Sequence, residues 1–406
     1  MKKILLLGLF LVPCISLFAQ QTKDKANFID AENKFYKEIQ KSIDLFRVGQ
    51  PESNKKTLKL DFSNRDYPRS ISDFKTVWAG SPVSQGATNT CWSFSTTSFY
   101  ESEVKRISGI DIRLSEQYTV YFETIHKARE FVRTRGASLF DEGSETNAVA
   151  RMMKLYGMVP YDSYTGLKPG QMFLDHTSMF KEMKQYLEHV KNASAWDEQA
   201  VESTIKSMLN HYMGPVPTIV EFKGKKYTPK QYMTEVLRLN SDDYVDFMSL
   251  MEKPYWKKVE YDVPDNWWNS DVYHNVPLDV FMKVIDESVR KGYSLAIGGD
   301  VSETGIMGSV GVAVVPSYDI PSEFIDESAR QMRFSNGSTT DDHAVHLVGW
   351  ADRKDGIWYL IKDSGSGAHN NPGAKGYYFF HSDYVKLKMM SFTIHKDAVK
   401  DVLSKF

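Results

Sequence analysis

Cysteine is nearly missing from this chain: Cys14 and Cys91 are the two in 406 residues. Cys14 falls in an apolar N-terminal run expected to be removed, so a disulfide framework is excluded. Cys91 is left as either an inert buried residue or a reactive thiol. An excess of one charge sign is also missing. The formal net charge is −2, which gives no general electrostatic drive toward nucleic acid or an anionic membrane. The apolar run Ile4 to Phe18 is short for a membrane span and contains Pro13, which argues against stable membrane insertion. There is no internal repeat and no low-complexity linker.

What is present first is an address. Met1-Lys2-Lys3, the apolar run and Ala19 fit a secretory signal peptide cut after Ala19, giving an exported, periplasmic or secreted chain. Lipid attachment at Cys14 fits less well, because rigid Pro13 stands where such a cut wants a small residue. The remaining composition, 42% apolar, 25% charged and 13% aromatic, is enough for a large core and an aromatic-lined cleft.

Periodicity organises the rest. An amphipathic stretch from Phe28 to Phe46 reads as a helix leading into an extended arm. Asn89 or Thr90 can cap a helix that begins at Cys91, carries Trp92, Phe99, Tyr100, Val104 and Ile107 at helical spacing, and ends at Gly109. Ser115 caps a second helix, and Gly143-Ser144 opens a third that runs to Gly157. Residues 164–278 are rich in Lys, Met and aromatics, without punctuation that looks catalytic. A helix from Asp279 to Arg290 follows, then alternating segments at residues 293–301, 343–350, 356–362, 376–381 and 389–395. Late strands after early helices mean segregated α+β.

A cysteine in the first turn of a helix meets unpaired N–H groups and the positive end of the helix dipole, which favour a thiolate. Those N–H groups also face any oxyanion formed on an attacked carbonyl. Gln85, across a turn containing Gly86, can add a side-chain amide to the same oxygen. From Cys91 alone, a buried free cysteine beside a solvent-facing glutamine is an equal reading. At the far end, His343 on a strand and Asp363 at the corner of its neighbour complete a nucleophile, base and orienter set.

Gln85-x5-Cys91-Trp92-Ser-Phe-Ser, Leu114-Ser-Glu-Gln117, Glu142-Gly143-Ser144, Asp342-His343-Ala344-Val345 and Lys362-Asp363-Ser364 resemble, in order, the landmarks of papain-like cysteine peptidases. The long middle insertion, Asn275-Val-Pro277 and Gly299-Asp300-Val301 look more like the bleomycin hydrolase (aminopeptidase C) branch. The resemblance spans residues 60–397. It implies a two-lobed core, with a helical lobe carrying the cysteine, an antiparallel β lobe carrying the histidine, and a large, mainly helical insertion. The corresponding divisions are a signal peptide (1–19), an N-terminal arm (20–60), the helical lobe (61–163), the insertion (164–278), and the β lobe with its tail (279–406).

By that resemblance Cys91 is the nucleophile, His343 the base and acid, Gln85 the oxyanion donor and Asp363 the orienter. Gly143 and Ser144 pair with an extended substrate, and Trp92 and Asp342 are counted among substrate contacts. The implied activity is a thiol peptidase needing no metal or other cofactor, an aminopeptidase on short peptides, with a ring-like homo-oligomer as partner state. Endopeptidase action, and a catalytically silent peptide-binding or assembly protein, are the alternatives.

Two departures bear on the chemistry. Asparagine is usual where Asp363 stands; an aspartate oxygen is expected to accept the His343 Nδ1–H and to raise that histidine's pKa. The tryptophan that follows in the family is replaced by the run Ser364-Gly365-Ser366-Gly367, so a wetter, weaker bond is expected unless Trp350 or Trp358 covers it. His343 and His346 cannot share a metal ion, since strand residues three apart face opposite sides; His346 is expected to be packed inside. Asp141, Glu142 and Glu145 read as a solvated acidic loop, or as a site for a peptide's free α-amino group. Whether Phe406 reaches the cleft decides how far the terminal arm of that branch carries over.

Overall fold

The computed structural model describes residues 24–44 and 56–406, so the expected leader and its cut lie outside the described residues. The arm opens with a strand, not a helix. β1 (Ala26–Asp30) pairs antiparallel with β2 (Lys56–Leu60), setting Phe28 opposite Leu58. The backbone of residues 26–30 is therefore committed to a ladder, and α1 is confined to Lys34–Ile43. Asn33 caps it by accepting the Tyr36 N–H at 2.9 Å, and Phe35, Ile39 and Ile43 form its buried stripe against Ala87 and Phe173.

The helical lobe follows the sequence pattern closely. α2 runs Cys91–Ser108 and stops where Gly109 takes the left-handed conformation (φ 72°) that a β-carbon would penalise. Thr90 occupies the cap position, but its hydroxyl bonds the Thr88 hydroxyl (2.7 Å) instead of capping the helix. α3 (Glu116–Arg133) is capped by Ser115, which accepts the Tyr118 N–H at 3.0 Å. α4 spans Thr146–Tyr156 and begins two residues after the expected Gly143-Ser144 opening, because that pair stays extended at the rim of the cleft. α5 (Thr177–Asn192) and α6 (Glu198–Met213) pack on this lobe through Met179, Met183, Leu187, Ile205 and Leu209.

Residues 164–278 supply more than helices. β3 (Tyr244–Met248) and β4 (Tyr273–Asn275) join the main sheet, with Phe247 and Met248 buried. α7 (Leu278–Arg290) leads to β5 (Leu295–Gly299), and α8 (Glu327–Ser335) precedes β6 (His343–Arg353). β7 (Gly356–Lys362), β8 (Tyr377–His381) and β9 (Met389–His395) complete the central order β8-β7-β6-β5-β9-β3-β4. The fold is thus α+β: a helical lobe and a mainly antiparallel sheet meeting along α2 and β6, with helices added from the middle of the chain. Among the described residues no helix is long and apolar enough to cross a membrane.

The C-terminus turns away from that seam. The Phe406 ring packs 4.7 Å from His274 and 5.8 Å from Trp256, on the β3–β4 side of the sheet. β4 lies four strand spacings from β6, about 19 Å along the sheet.

Candidate active site

The seam between the lobes brings residues 85, 91, 343 and 363 together. Cys91 is half-buried at the first turn of α2, and His343 opens β6. His343 Nε2 lies 2.8 Å from Asp363 Oδ1 just beyond the end of β7, while the thiol of Cys91 hydrogen-bonds the same imidazole. The nitrogens are thus exchanged relative to the sequence expectation. The ring tip (Nε2) reaches across to the neighbouring strand's corner, which leaves the inner nitrogen, Nδ1, for the sulfur. Burial opposes charge on His343, but Asp363 and Cys91 together hold its pKa well above the ordinary histidine range. Burial likewise works against the Asp363 carboxylate, and His343 with the Gly365 N–H keeps its pKa below the usual carboxylate value.

The expected weakness of this bond does not materialise. The His343 and Asp363 side chains are only 11% and 6% exposed, although no tryptophan follows. Gly365 donates its N–H to Asp363 Oδ1 at 2.8 Å, and a β-carbon there would sit 3.3 Å from that oxygen and 3.5 Å from His343 Cε1. The backbone itself covers the pair. Trp350 and Trp358 are not involved: Trp350 lies by Lys75 and Arg290, and Trp358 bonds Asp355.

The arm steadies this covering loop, which sequence reasoning missed. Asn33 Nδ2 donates to Ser366 Oγ (2.8 Å), the Phe35 N–H donates to Asn370 Oδ1 (2.9 Å), and the Phe35 ring stacks on His369 at 4.4 Å. Asn33 and Phe35 carry only a helix-start signal locally; their partners are more than 300 residues away.

Gln85 is buried and fixed at both ends of its amide. Its Nε2 donates to Thr88 O (2.7 Å), its Oε1 accepts the Ser364 hydroxyl (2.8 Å), and one N–H remains. The turn that follows needs Gly86: its φ is +68°, and a β-carbon would fall 2.3 Å from Leu174 O. Gln85, Gly86, Asn89 and Glu142 line a cavity of about 660 Å³ together with Tyr36, Lys181 and Lys184.

Trp92 lies inside the fold and does not line this cavity. It is fully buried and donates its indole N–H to Glu142 O at 3.0 Å, anchoring the 142–144 segment. Ser144 is buried too and donates to Glu123 Oε1 (2.8 Å). Gly143 packs edge-on against Asp265, whose carboxylate would be 2.3 Å from any β-carbon, and its carbonyl accepts from the buried Lys127 ammonium. Asp342 stays at the surface and accepts the Val301 N–H at 2.9 Å, so it ties the end of β5 to the His343 strand.

The acidic segment is not a solvated loop. Asp141 pairs with Lys184 (2.7 Å), but Glu142 and Glu145 are only 8% and 3% exposed. Glu142 accepts the Asn89 N–H, and burial pushes its carboxyl up to about 7. His346 is fully buried, with Nδ1 2.8 Å from Ser98 Oγ. Among the described residues no group of three or more His, Cys, Asp or Glu is arranged to hold a metal ion.

Residues 219–406 match the model of the Peptidase C1-like family. The crystal structure of PepW from Lactobacillus rhamnosis HN001 superposes with a TM-score of 0.66 at 17% identity, over 81% of this chain and 83% of that one. A structure from work on the mite allergens Blo t 1 and Der p 1 aligns over 82% of this chain and 72% of that one, at 13% identity and a TM-score of 0.37. No curated protein sequence matches the chain. Residues 219–406 are thus similar to the Peptidase C1-like family, and the fold as a whole is similar to that of PepW.

Proposed function

We propose that the protein is a thiol peptidase in which Cys91 and His343 hydrolyse peptide bonds through an acyl-enzyme. The observation that carries this is the buried relay Cys91–His343–Asp363, in which the imidazole bridges the thiol and the carboxylate and has its pKa raised by both. The Cys91 thiolate adds to the carbonyl carbon. The Cys91 N–H and the free amide proton of Gln85 take the oxyanion. Imidazolium His343 then gives its proton to the departing amine, and a water activated by the same ring releases the acyl group. Gly143 and Ser144, pinned by Trp92, are the edge along which an extended substrate lies.

Two readings of the bond attacked follow from different grounds. The resemblance to the aminopeptidase C branch supports removal of N-terminal residues from short peptides. Among the described residues, Phe406 packs against His274 and Trp256 and not beside His343, which supports endopeptidase action as the second reading. Fluorogenic peptides with free and acetylated N-termini test both. Hydrolysis abolished by Cys91→Ala is expected; acetylated substrates cleaved as fast as free ones support the endopeptidase, and loss of cleavage on acetylation supports the aminopeptidase. Hydrolysis unaffected by Cys91→Ala would contradict the mechanism.

A further inference from the structure

The edge along which a substrate would lie is held from behind by two charged side chains of one helix. Glu123 and Lys127 stand four residues apart on α3, and each is only 1% exposed. On a helix surface that spacing, with the acid first, ordinarily serves an ion pair between the two. Here both side chains reach residues 141–144. The Lys127 ammonium donates to Asp141 O at 2.7 Å and also to Gly143 O. Glu123 Oε1 accepts the Ser144 hydroxyl at 2.8 Å. Between the two carbonyls of Lys127, Glu142 O accepts the Trp92 indole N–H at 3.0 Å. Three consecutive carbonyls are thus tied inward to buried donors, and the next residue's hydroxyl to a buried acceptor.

Charges are costly to bury, so this arrangement needs a reason beyond filling space. Burial lowers the Lys127 pKa, and Glu123, ahead of Asp265 and Asp141, opposes that shift. Glu123 is fixed in its turn: Oε1 also accepts the Trp267 indole N–H at 2.8 Å, and Oε2 pairs with Arg151 at 2.6 Å. The Arg151 guanidinium lies over the Trp267 and Trp268 rings, at 4.8 and 4.4 Å from their centres. No disulfide ties the segment down, because Cys91 is the one cysteine among the described residues. A frame of charge-assisted hydrogen bonds does what apolar packing cannot. It fixes the direction of each backbone carbonyl, and hence which groups of the segment are turned toward the cleft.

We propose that Glu123 and Lys127 are positioning residues for the substrate: without touching it, they set the carbonyl directions of residues 141–143 and the place of Ser144. In that way they determine how tightly an extended peptide lies along Gly143 and Ser144. This rests on the peptidase reading above.

The test compares two alkylating probes of Cys91 and one substrate series. Chloroacetamide is too small to lie along the edge, whereas a peptidyl epoxide and fluorogenic tripeptide amides must do so. In Lys127→Met the peptidyl epoxide is expected to react ~10-fold or more slowly, and KM for the tripeptides to rise by a similar factor, with kcat falling less. Chloroacetamide labelling keeps the wild-type rate, because the contact of Cys91 with His343 is intact. Ser144→Ala, which deletes only the hydroxyl held by Glu123, shifts KM in the same direction by a smaller factor. Should Lys127→Met fail to fold, Ser144→Ala decides alone. Equal slowing of both probes, or an unchanged KM in the folded variant, overturns the inference and leaves the peptidase reading intact. Calorimetric binding of a tripeptide amide to Cys91→Ser, with and without Lys127→Met, separates the reverse case. Binding weakened by Lys127→Met, in a protein whose wild-type form hydrolyses nothing, upholds the positioning role and ends the peptidase reading.

Discussion

The helix of Cys91 crosses the strand of His343 at two places, and they make opposite use of the same residue types. At the first, Cys91 meets His343, with Asp363 on the other side of the ring at 2.8 Å. At the second, Ser98 meets His346 at 2.8 Å, and the ammonium of Lys362 donates to the same serine at 2.8 Å. Lys362 and Asp363 are consecutive, so the alternation of a strand end sends a cation to one histidine and an anion to the other. Burial and then Lys362 push His346 well below the ordinary histidine pKa, whereas Asp363 and Cys91 overcome burial at His343 and raise it. The serine hydroxyl accepts from Lys362 and still has its own proton to donate to His346 Nδ1, an arrangement that suits a neutral imidazole. Two largely buried rings are therefore chemically poised at one crossing and inert at the other, and the sign of the neighbouring charge decides which.

The comparison can be broken most severely at Asp363. Replacement by alanine removes both the orienting acceptor and the charge, and kcat/KM is expected to fall by ~10²–10⁴-fold. Asp363→Asn keeps an acceptor and should retain far more activity, but the charge that holds the imidazolium is lost. Because Asp363 raises the His343 pKa, the alkaline limb of the pH–rate profile then moves to lower pH. An unmoved limb would mean that the carboxylate does not set the histidine's charge.

At the second crossing the expected effect is on stability. His346→Ala leaves a cavity and removes one of the two partners of the Ser98 hydroxyl, at a cost of about 2–4 kcal/mol in urea unfolding, with turnover per folded molecule retained. Collapse of activity with an unchanged urea midpoint would mean that both histidines belong to the chemistry. The smallest effect concerns Glu142. Its folded pKa of about 7 lies above the unfolded value, so its contribution to stability is complete below about pH 4.5 and is lost as pH rises through 7. Glu142→Gln, which can still accept the Asn89 N–H, should flatten the fall of Tm with pH across that window. An identical slope in both proteins would contradict the buried, protonated carboxyl.

How much of this was legible in the sequence depends on how local each cause is. α2 was readable to within a residue at both ends, since the helical spacing and Gly109 are local signals; strands 356–362 and 389–395 also match. The helix expected from Phe28 was wrong in its first turn, because pairing with residues 56–60 is a non-local choice that outweighs amphipathic spacing. The ordered motifs named the nucleophile and histidine candidates, but not which imidazole nitrogen meets which partner, as that is set by how two lobes close. The missing tryptophan read as exposure. Gly365 backbone and the arm's Asn33 and Phe35 supply the cover instead, and no periodicity reports a contact across 330 residues. Charged residues at 142 and 145 looked solvated for the same reason: their burial comes from Trp92, Asn89 and Tyr273, which are distant in the chain.

The central claim is the union of Cys91 with a charged His343, and the most direct measurement is the rate at which an epoxide inhibitor of papain-like enzymes alkylates Cys91 at pH 6–7. Rapid, stoichiometric labelling in the wild-type chain, slowed by ~10²-fold or more in His343→Ala, is the result predicted. Slow labelling that is indifferent to His343 would contradict it.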